Sequence, residues 1–392
     1  VPMTAIPPPL PHDPRERPAF SWRGLLVDSA HTFWPVPAME LFLSLMARYR
    51  FNVLHWRLTD DRGWRMPVPG FPRLTSVGAQ LPRTMRSAGD AAPSADDVAP
   101  ARRAQAFARH GFYSDSNIRH LVSYAADRKI RIVPEVCIPS GAGAAIRSYP
   151  HLGNPHLVRC GDTRNATSLW PSTSSLSFVQ AALHRACDLF PSPFIHIGAG
   201  PCDWGEWEAD SALMRAGFPL GSDVERVFVE RALRTLRFHG RRAAAWESLI
   251  RSFPTPPDGT ALLSRGESAA TIDAAAAAGG CWVLADERLL APSMSAAPAT
   301  AARAIGDARR LYERLPEAMR ARGLAGCEVV ARPATTASPE KLMTQLVPQL
   351  LVAAVIAWHG DQALTWERLA PLIEANAAYL ERAIPRWFAQ RT

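Results

Sequence analysis

The chain has 392 residues, of which 47% are hydrophobic, and its mean hydropathy is −0.08. It is long enough to bury the core of one large domain or two, and no apolar run reaches the ~18 residues that a membrane span needs. The formal net charge is +8, yet all but two of the 44 basic residues are arginines scattered along the chain, which argues against a nucleic-acid-binding surface and fits the codon bias of a GC-rich bacterium.

The first 20 residues form a proline-rich arm without the basic and apolar regions of a signal peptide. Six cysteines follow it, Cys137, Cys160, Cys187, Cys202, Cys281 and Cys327. No two of them form a CxxC pair, and no His/Cys cluster has zinc spacing. We therefore expect free thiols, a cytoplasmic location, no bound metal and no cofactor.

Eight short apolar runs predict β-strands, at residues 22–30, 51–58, 130–137, 193–198, 241–247, 261–265, 280–286 and 324–331. Helical patterns separate them, at residues 37–50, 114–129, 174–190, 222–239, 267–278, 303–322, 338–358 and 364–384. Strands that alternate with helices favour a parallel sheet, and at this length the closed (β/α)8 TIM barrel of the α/β class is the natural form. We expect one barrel domain over residues 21–392, with long loops at about 73–112 and 150–173.

In such a barrel, function lies where the strands end, so the strand tips carry the candidate site. The polar and aromatic residues near these tips are Arg23, Asp28, His55, Arg57, Asp60, Asp61, Glu135, Cys137, His196, Trp246 and Glu247. Carboxylates accept hydrogen bonds from sugar hydroxyls, arginine donates to them, and tryptophan covers the apolar face of a sugar ring. The set is typical of a carbohydrate site.

A structural role is an equally serious alternative for several of these residues. Asp60 and Asp61 could cap a turn and pair with a nearby arginine. His196 lies between two isoleucines, where a hydrogen-bonded core histidine is the commoner case. Glu135 is expected inside the barrel, where it could serve a buried pair instead of a reaction.

Taken together, the tips resemble the catalytic domain of glycoside hydrolase family 20, the β-N-acetylhexosaminidases, from about Trp22 to Trp387. FNVLHWRLTDDRGWR is similar to the family's second strand almost residue for residue, and WRGLLVDSAHTFWPV, PFIHIGAG and AAAWESLI follow its first, fourth and fifth strands. The resemblance implies that Arg23 grips the substrate, that Asp60 binds a sugar hydroxyl and that Trp246 forms the floor of an acetamido pocket. The small α/β domain that often precedes the family's barrel is expected to be absent.

The same resemblance implies a retaining mechanism in which the substrate's acetamido oxygen attacks the anomeric carbon. An Asp orients that group and the adjacent Glu protonates the leaving oxygen, directly after the fourth strand. Here those two positions are Gly200 and Pro201. Other family positions also differ, at Cys137, Gly141, Ser264 and Arg332. Standard hexosaminidase activity is therefore predicted to be absent or very weak.

Three functional hypotheses remain. The barrel could be repurposed to act on a sugar-like or amino-sugar-like small molecule in a biosynthetic pathway, with an anionic ligand suggested by Arg332. It could be a non-catalytic protein that binds a carbohydrate or a protein partner. The candidate substrate-binding residues are Arg23, Asp60, Trp246 and Arg332. It could keep residual hexosaminidase activity through a displaced acid, Asp203 or Glu206. The candidate catalytic groups are Asp60, Asp61, Glu135, Cys137, His196, Asp203, Glu206 and Glu247. Neither nucleic acid nor membrane is expected as a partner, and the oligomeric state is left open.

Overall fold

The computed structural model describes residues 17–80, 110–159, 166–200, 202, 204–208, 211–215, 217–218, 220–266, 281–291, 301–320, 323–331, 339–360 and 363–389. Its sheet is a closed barrel of parallel strands that pair in chain order, with β8 returning to β1. The strands are β1 (Trp22–Asp28), β2 (Val53–Arg57), β3 (Arg131–Ile138), β4 (Phe194–Gly198), β5 (Arg242–Trp246), β6 (Ala261–Ser264), β7 (Cys281–Leu284) and β8 (Leu324–Ala331). The predicted (β/α)8 barrel is confirmed.

Helices follow the strands and cover the outside of the barrel. The longer ones are α1 (Val36–Arg48), α3 (Asp115–Ala126), α6 (Thr173–Leu189), α9 (Gly221–Phe238), α11 (Ala301–Ala318), α12 (Pro339–His359) and α13 (Trp366–Ala389). The short ones are α2 (Arg73–Ser76), α4 (Gly143–Ser148), α5 (Pro155–Arg159), α7 (Gly205–Glu208), α8 (Ser211–Arg215) and α10 (Glu287–Leu290), with 3-10 turns at Pro150–Leu152 and Glu247–Arg251. None of the helices in the described residues is long and apolar enough to cross a membrane.

The predicted elements correspond to the observed ones with small changes at their ends. The predicted strand 22–30 ends at Asp28, and the predicted helix 114–129 ends at Ala126. Ser114 begins that helix as expected, because its side chain accepts from the Asn117 amide while the Asn117 side chain accepts from the Ser114 amide. The predicted helix 267–278 lies outside the described residues.

The two predicted long loops need a correction. The segment 73–112 begins with α2, and the segment 150–173 contains a 3-10 turn and α5, because short proline-started turns such as those at Pro72 and Pro155 form helix readily. Residues 81–109 and 160–165 lie outside the described part of the chain.

The alternation of side chains along each strand divides the core in two. Leu25 and Val27 of β1 face the helices, whereas Trp22 and Leu26 face the barrel interior. The inward positions of the other strands fill the same interior with Val53, Val133, Phe194, Ala244, Trp246, Ala261, Leu263, Val283 and Val330. An inward residue at the end of a strand therefore points to the mouth of the barrel.

Candidate functional site

A chain of buried polar groups runs through the barrel interior, from Trp22 at the start of β1 to Glu135 beneath the mouth. His55 on β2 bonds to Glu328 on β8 through Nδ1 (2.9 Å) and lies 3.2 Å from Glu135 on β3 through Nε2. Trp246 donates its indole N–H to Glu135 Oε1 (2.7 Å), and Trp22 donates to Glu328 Oε1 (2.8 Å). His55, Glu135 and Glu328 are fully buried, so each depends on the others for its hydrogen bonds.

The charges of this network compensate one another. Burial alone would lower the pKa of His55, but Glu328 and Glu135 outweigh it and raise the pKa to about 9. Burial likewise acts to raise the pKa of Glu135, and Arg57 together with the two histidines holds it well below its usual range. An imidazolium between two carboxylates is the arrangement that keeps all three groups in the core.

His196 is the neutral member of the network. Its Nδ1 accepts a hydrogen bond from the Gly198 amide (3.1 Å), and burial lowers its pKa well below the usual range. The interpretation of His196 as a core histidine is therefore favoured. His55, Glu135 and His196 bring donor atoms within 4.8 Å of one another, the spacing of a metal site, and both ring nitrogens of His55 face carboxylates, those of Glu328 and Glu135.

Above the network lies a cavity of about 260 Å³ at the mouth of the barrel. It is lined by Arg57, Asp60, Asp61, Glu135, Cys137, Ser140, Gly141, Gly198, Gly200, Trp246 and Arg265. Charged and polar side chains dominate this lining, and the volume suits one small molecule, since drug-sized ligands use roughly 300–1,000 Å³. The structure thus brings five of the candidate residues together, Asp60, Asp61, Glu135, Cys137 and Trp246.

The tip of β2 forms the acidic wall of the cavity. Arg57 makes an ion pair with Asp60 and also lies near Glu135, with 3.7 Å between Nε and Oε2. Asp61 accepts from the Gly143 amide through Oδ1 (2.9 Å). Burial, and then the neighbouring Asp60, raise the pKa of Asp61 to about 6. Asp60 is thus a paired carboxylate, whereas Asp61 exchanges its proton near neutral pH.

The tip of β6 supplies a basic wall that sequence reasoning missed. The guanidinium carbon of Arg265 lies 3.8 Å from the centre of the Trp246 ring, so the two groups stack. The Arg265 amide is held by Glu247 Oε1 (2.7 Å). Glu247 is 2% exposed and is absent from the cavity lining, so it positions this turn instead of facing a ligand.

The tip of β4 turns sharply into the cavity. Gly198 and Ala199 both have left-handed backbone, with φ of +74° and +48°, and the Ala199 carbonyl accepts from the Ser248 hydroxyl (2.6 Å). For an alanine this conformation is costly and persists only where its surroundings enforce it. The next residue, Gly200, faces the cavity, and a Cβ added to it would meet Trp246 at an ordinary 3.7 Å. Space for a side chain exists at position 200.

Cys137 lines the same cavity as an unreactive thiol. Its Sγ lies 3.5 Å from Glu135 Oε1, and burial raises its pKa well above the usual range. The five cysteines in the described residues are all free, as predicted, and Cys160 lies outside them.

The prediction that Arg23 lines the pocket is wrong. Arg23 donates to the carbonyls of Arg50 (2.8 Å) and Phe20 (2.8 Å) and stacks on Trp358. It lies at the start of β1, about 17 Å along the strand from Asp28, and on the outward-facing side. Strand alternation is the signal that sequence reasoning overlooked here.

The end of β1 offers His31 instead, a residue that the sequence analysis did not single out. His31 Nδ1 lies 2.7 Å from Asp28 Oδ2 and 4.0 Å from Asp60 Oδ2. Burial acts to lower the pKa of His31, but the Asp28 carboxylate outweighs burial and raises that pKa. Burial acts to raise the pKa of Asp28, but His31 and Arg57 hold it far below its usual range. The pair joins the mouth of β1 to the acidic wall.

This pair predicts a pH-dependent contribution to stability. A raised histidine pKa stabilises the fold below the unfolded value of about 6.5 and loses that contribution as the pH rises through the folded value. We expect His31→Gln to cost about 1–2 kcal/mol at pH 6 and less at pH 9, measured by urea unfolding. His120→Gln, in an exposed pair with Glu40, is the control and should cost below about 0.5 kcal/mol. An equal cost of His31→Gln at both pH values would contradict the assignment.

Several predicted site residues lie outside the described part of the chain. These are Pro201, Asp203 and Arg332, and of Glu206 only the backbone, in α7, is described. Their proposed roles remain predictions.

The chain is similar in sequence to known proteins. The sequence model described as glycosyl hydrolase family 20, catalytic domain, matches residues 20–360. The β-hexosaminidase of Vibrio furnissii is 30% identical over 59% of the chain and 38% of its own length. The β-N-acetylhexosaminidase of Cellulomonas fimi is 26% identical over 95% of the chain and 70% of its own length.

Among solved structures, the family 20 exo-β-N-acetylglucosaminidase of Vibrio harveyi, in complex with N-acetylglucosamine, superposes with a TM-score of 0.76. The identity is 24%, over 93% of this chain and 58% of that one, which establishes a shared fold. The chain spans only 31% to 45% of the length of three of the relatives, the β-hexosaminidases of Vibrio furnissii, Porphyromonas gingivalis and Akkermansia muciniphila.

Proposed function

The chain belongs to glycosyl hydrolase family 20, and from that premise we propose that its barrel mouth binds a small carbohydrate-like molecule without cleaving N-acetylhexosaminides as the family does. The observation that carries the proposal is the cavity of about 260 Å³, which keeps Asp60, Asp61 and Trp246 while Gly200 stands beside them without a side chain. The position of this cavity at the mouth of the barrel supports ligand binding. The glycine at position 200 argues against the family's hydrolysis, which needs a carboxylate there.

The family's reaction needs an acid and an orienting carboxylate at the tip of the fourth strand. General acid catalysis contributes roughly 10²–10⁴-fold, and holding the nucleophile in place adds to it. Among the acids that line the cavity, Asp60 is paired with Arg57, and Glu135 is bound by Trp246 and His55. Neither offers the free proton that a leaving group requires. Asp61, whose pKa burial and Asp60 raise to about 6, follows β2 and not the tip of β4, where the resemblance places the family's acid.

Ligand binding is supported by how the wall groups are arranged. The carboxylates of Asp60 and Asp61 can accept from hydroxyl or ammonium groups, and the guanidinium of Arg265 can donate to acceptors across the cavity. The turn at Gly198 and Ala199 brings Gly200 to the cavity through a left-handed backbone that is costly for an alanine, and such strained turns cluster at ligand sites. Relatives whose names specify N-acetylhexosamine substrates point to the same chemical class.

A second function is a different reaction on the bound ligand. Asp61 favours it, because a cavity carboxyl whose pKa burial and Asp60 raise to about 6 can donate and accept a proton near neutral pH. In this case the barrel is an enzyme with new chemistry instead of a binding protein.

The proposal predicts how the purified protein treats a chromogenic substrate. We expect no release of nitrophenol from p-nitrophenyl β-N-acetylglucosaminide above the background of a heat-inactivated sample, whereas typical enzymes turn over at about 1–10³ s⁻¹. An enzyme of the same family serves as the positive control. Turnover in that range would overturn the proposal and turn attention to Asp203 or Glu206 as the displaced acid.

A further inference from the structure

Resting on the proposed binding at this cavity, we infer that the ligand is a small zwitterion, with a cationic group beside Asp61 and an anionic group on Arg265. An amino sugar that carries a phosphate or a carboxylate has this chemistry.

The topology of the barrel places the two charges on opposite walls. Asp61 follows β2 and Arg265 follows β6, and these strands lie four apart in a closed ring of eight. Both residues nevertheless line the same cavity of about 260 Å³. A single small molecule in that cavity therefore meets a carboxylate on one side and a guanidinium on the other.

The acidic wall favours a cation because the protein supplies only partial compensation for Asp61. The charged groups that act on Asp61 are Asp60, Arg57, His31 and Arg147. Arg57 forms its ion pair with Asp60, and Arg147 donates to the backbone carbonyl of Asp61 (2.5 Å). With all of them present, burial and then Asp60 still raise the pKa of Asp61 to about 6. An ammonium group of the ligand would stabilise the ionised form.

The basic wall is organised to receive an anion. Stacking on Trp246 at 3.8 Å orients the plane of the Arg265 guanidinium, and the Glu247 carboxylate fixes its backbone. A fixed guanidinium fork recognises phosphate and carboxylate oxygens in pairs. Arg265 also covers the Trp246 face, which removes the apolar platform on which a neutral sugar ring would stack.

Calorimetric titration with matched ligands at pH 7 tests the inference. The set comprises glucosamine 6-phosphate with both charges, glucosamine with the cation alone, N-acetylglucosamine 6-phosphate with the anion alone, and N-acetylglucosamine with neither. We expect glucosamine 6-phosphate to bind at least tenfold more tightly than either singly charged ligand. Replacing it by 2-amino-2-deoxyglucuronic acid distinguishes a phosphate from a carboxylate as the anionic group.

Two variants assign each charge to its wall. Asp61→Asn keeps an acceptor for the Gly143 amide, and it should abolish the preference for the amine over the acetamide, a loss of at least tenfold. Arg265→Gln should abolish the preference for the phosphate. Asp127→Asn and Arg309→Gln, both exposed and outside the cavity, are the controls and should leave all affinities unchanged.

The pH profile gives an independent readout. Between pH 5 and 7 the amine stays protonated, as an amino group of pKa about 7.7–8.0 does, while Asp61 loses its proton. The affinity for glucosamine should therefore rise with pH in the wild type and stay flat in Asp61→Asn. Affinity that is independent of pH in both proteins would overturn the cation assignment.

The outcomes separate this inference from the proposed function. If neutral N-acetylglucosamine binds as tightly as glucosamine 6-phosphate, the charge assignment is wrong and carbohydrate binding stands. If none of the ligands binds, the proposed function fails and the inference fails with it.

Discussion

Replacing Glu328 by glutamine is expected to lower the free energy of unfolding by about 3 kcal/mol, because removing one partner of a buried ion pair costs about 3–5 kcal/mol. Glu328 is fully buried and accepts from both His55 Nδ1 and Trp22 Nε1. Glutamine keeps one acceptor oxygen for one of these two donors. Its NH₂ group would face the other donor and could not accept a hydrogen bond from it. It also leaves His55 with one carboxylate instead of two.

Urea unfolding at pH 7, followed by tryptophan fluorescence, measures this loss. The matched control is Glu313→Gln, which removes a carboxylate from an exposed pair with Arg309, whose two side chains are 55% and 62% exposed. That substitution should cost below about 0.5 kcal/mol. Equal costs for the two variants would show that the network contributes no more than a surface ion pair.

The barrel could be predicted from the sequence because parallel strands buried on both faces are short continuous apolar runs. PFIHIG and FNVLHWRL are of this kind, and both correspond to observed strands, β4 and β2. The ends of the strands are harder to predict. The predicted strand 22–30 included Ser29 and Ala30, because both residues are small and nothing in the local sequence marks Asp28 as the last paired residue.

The candidate site was predictable in part. Glu135 and Trp246 lie on strands whose inward alternation can be followed in the sequence, whereas Asp60 and Asp61, which lie beyond the end of β2, were expected from the HWRLTDDRGW stretch and its resemblance to the family. Asp60, Asp61, Glu135 and Trp246 were expected at the mouth, and all four line the cavity. Arg23 was assigned there as a polar residue of the first strand and from the resemblance, although Leu26 faces inward and an odd separation of three residues places Arg23 outward.

His31 and Arg265 could not be found in the same way. Each lies one to three residues beyond its strand, in a turn whose direction strand periodicity does not determine. His31 faces the mouth because Asp28 holds it, and Arg265 does so because Trp246 offers a ring to stack on. Such side-chain contacts form only in the folded protein, and the periodicity of the local sequence carries no information about them.

The second large effect concerns the cavity itself. Gly200→Leu is expected to weaken ligand binding at least 100-fold, because a leucine side chain would occupy a large part of a space of about 260 Å³. Its Cβ would stand 3.7 Å from Trp246 and 4.0 Å from Ser140, so the first atom of the side chain fits without a clash. The control is Gly306→Leu, on an exposed turn of α11 where nothing lies within 4 Å.

The most direct test of the account is calorimetric titration of wild-type protein and both glycine variants with glucosamine 6-phosphate, glucosamine and methyl β-N-acetylglucosaminide. The sugars are recovered afterwards and analysed by NMR. The account predicts saturable heat for at least one sugar with the wild type and with Gly306→Leu, no heat with Gly200→Leu, and the glycoside recovered intact. Equal binding by Gly200→Leu, no binding by the wild type, or free N-acetylglucosamine formed at an enzyme-like rate would contradict it.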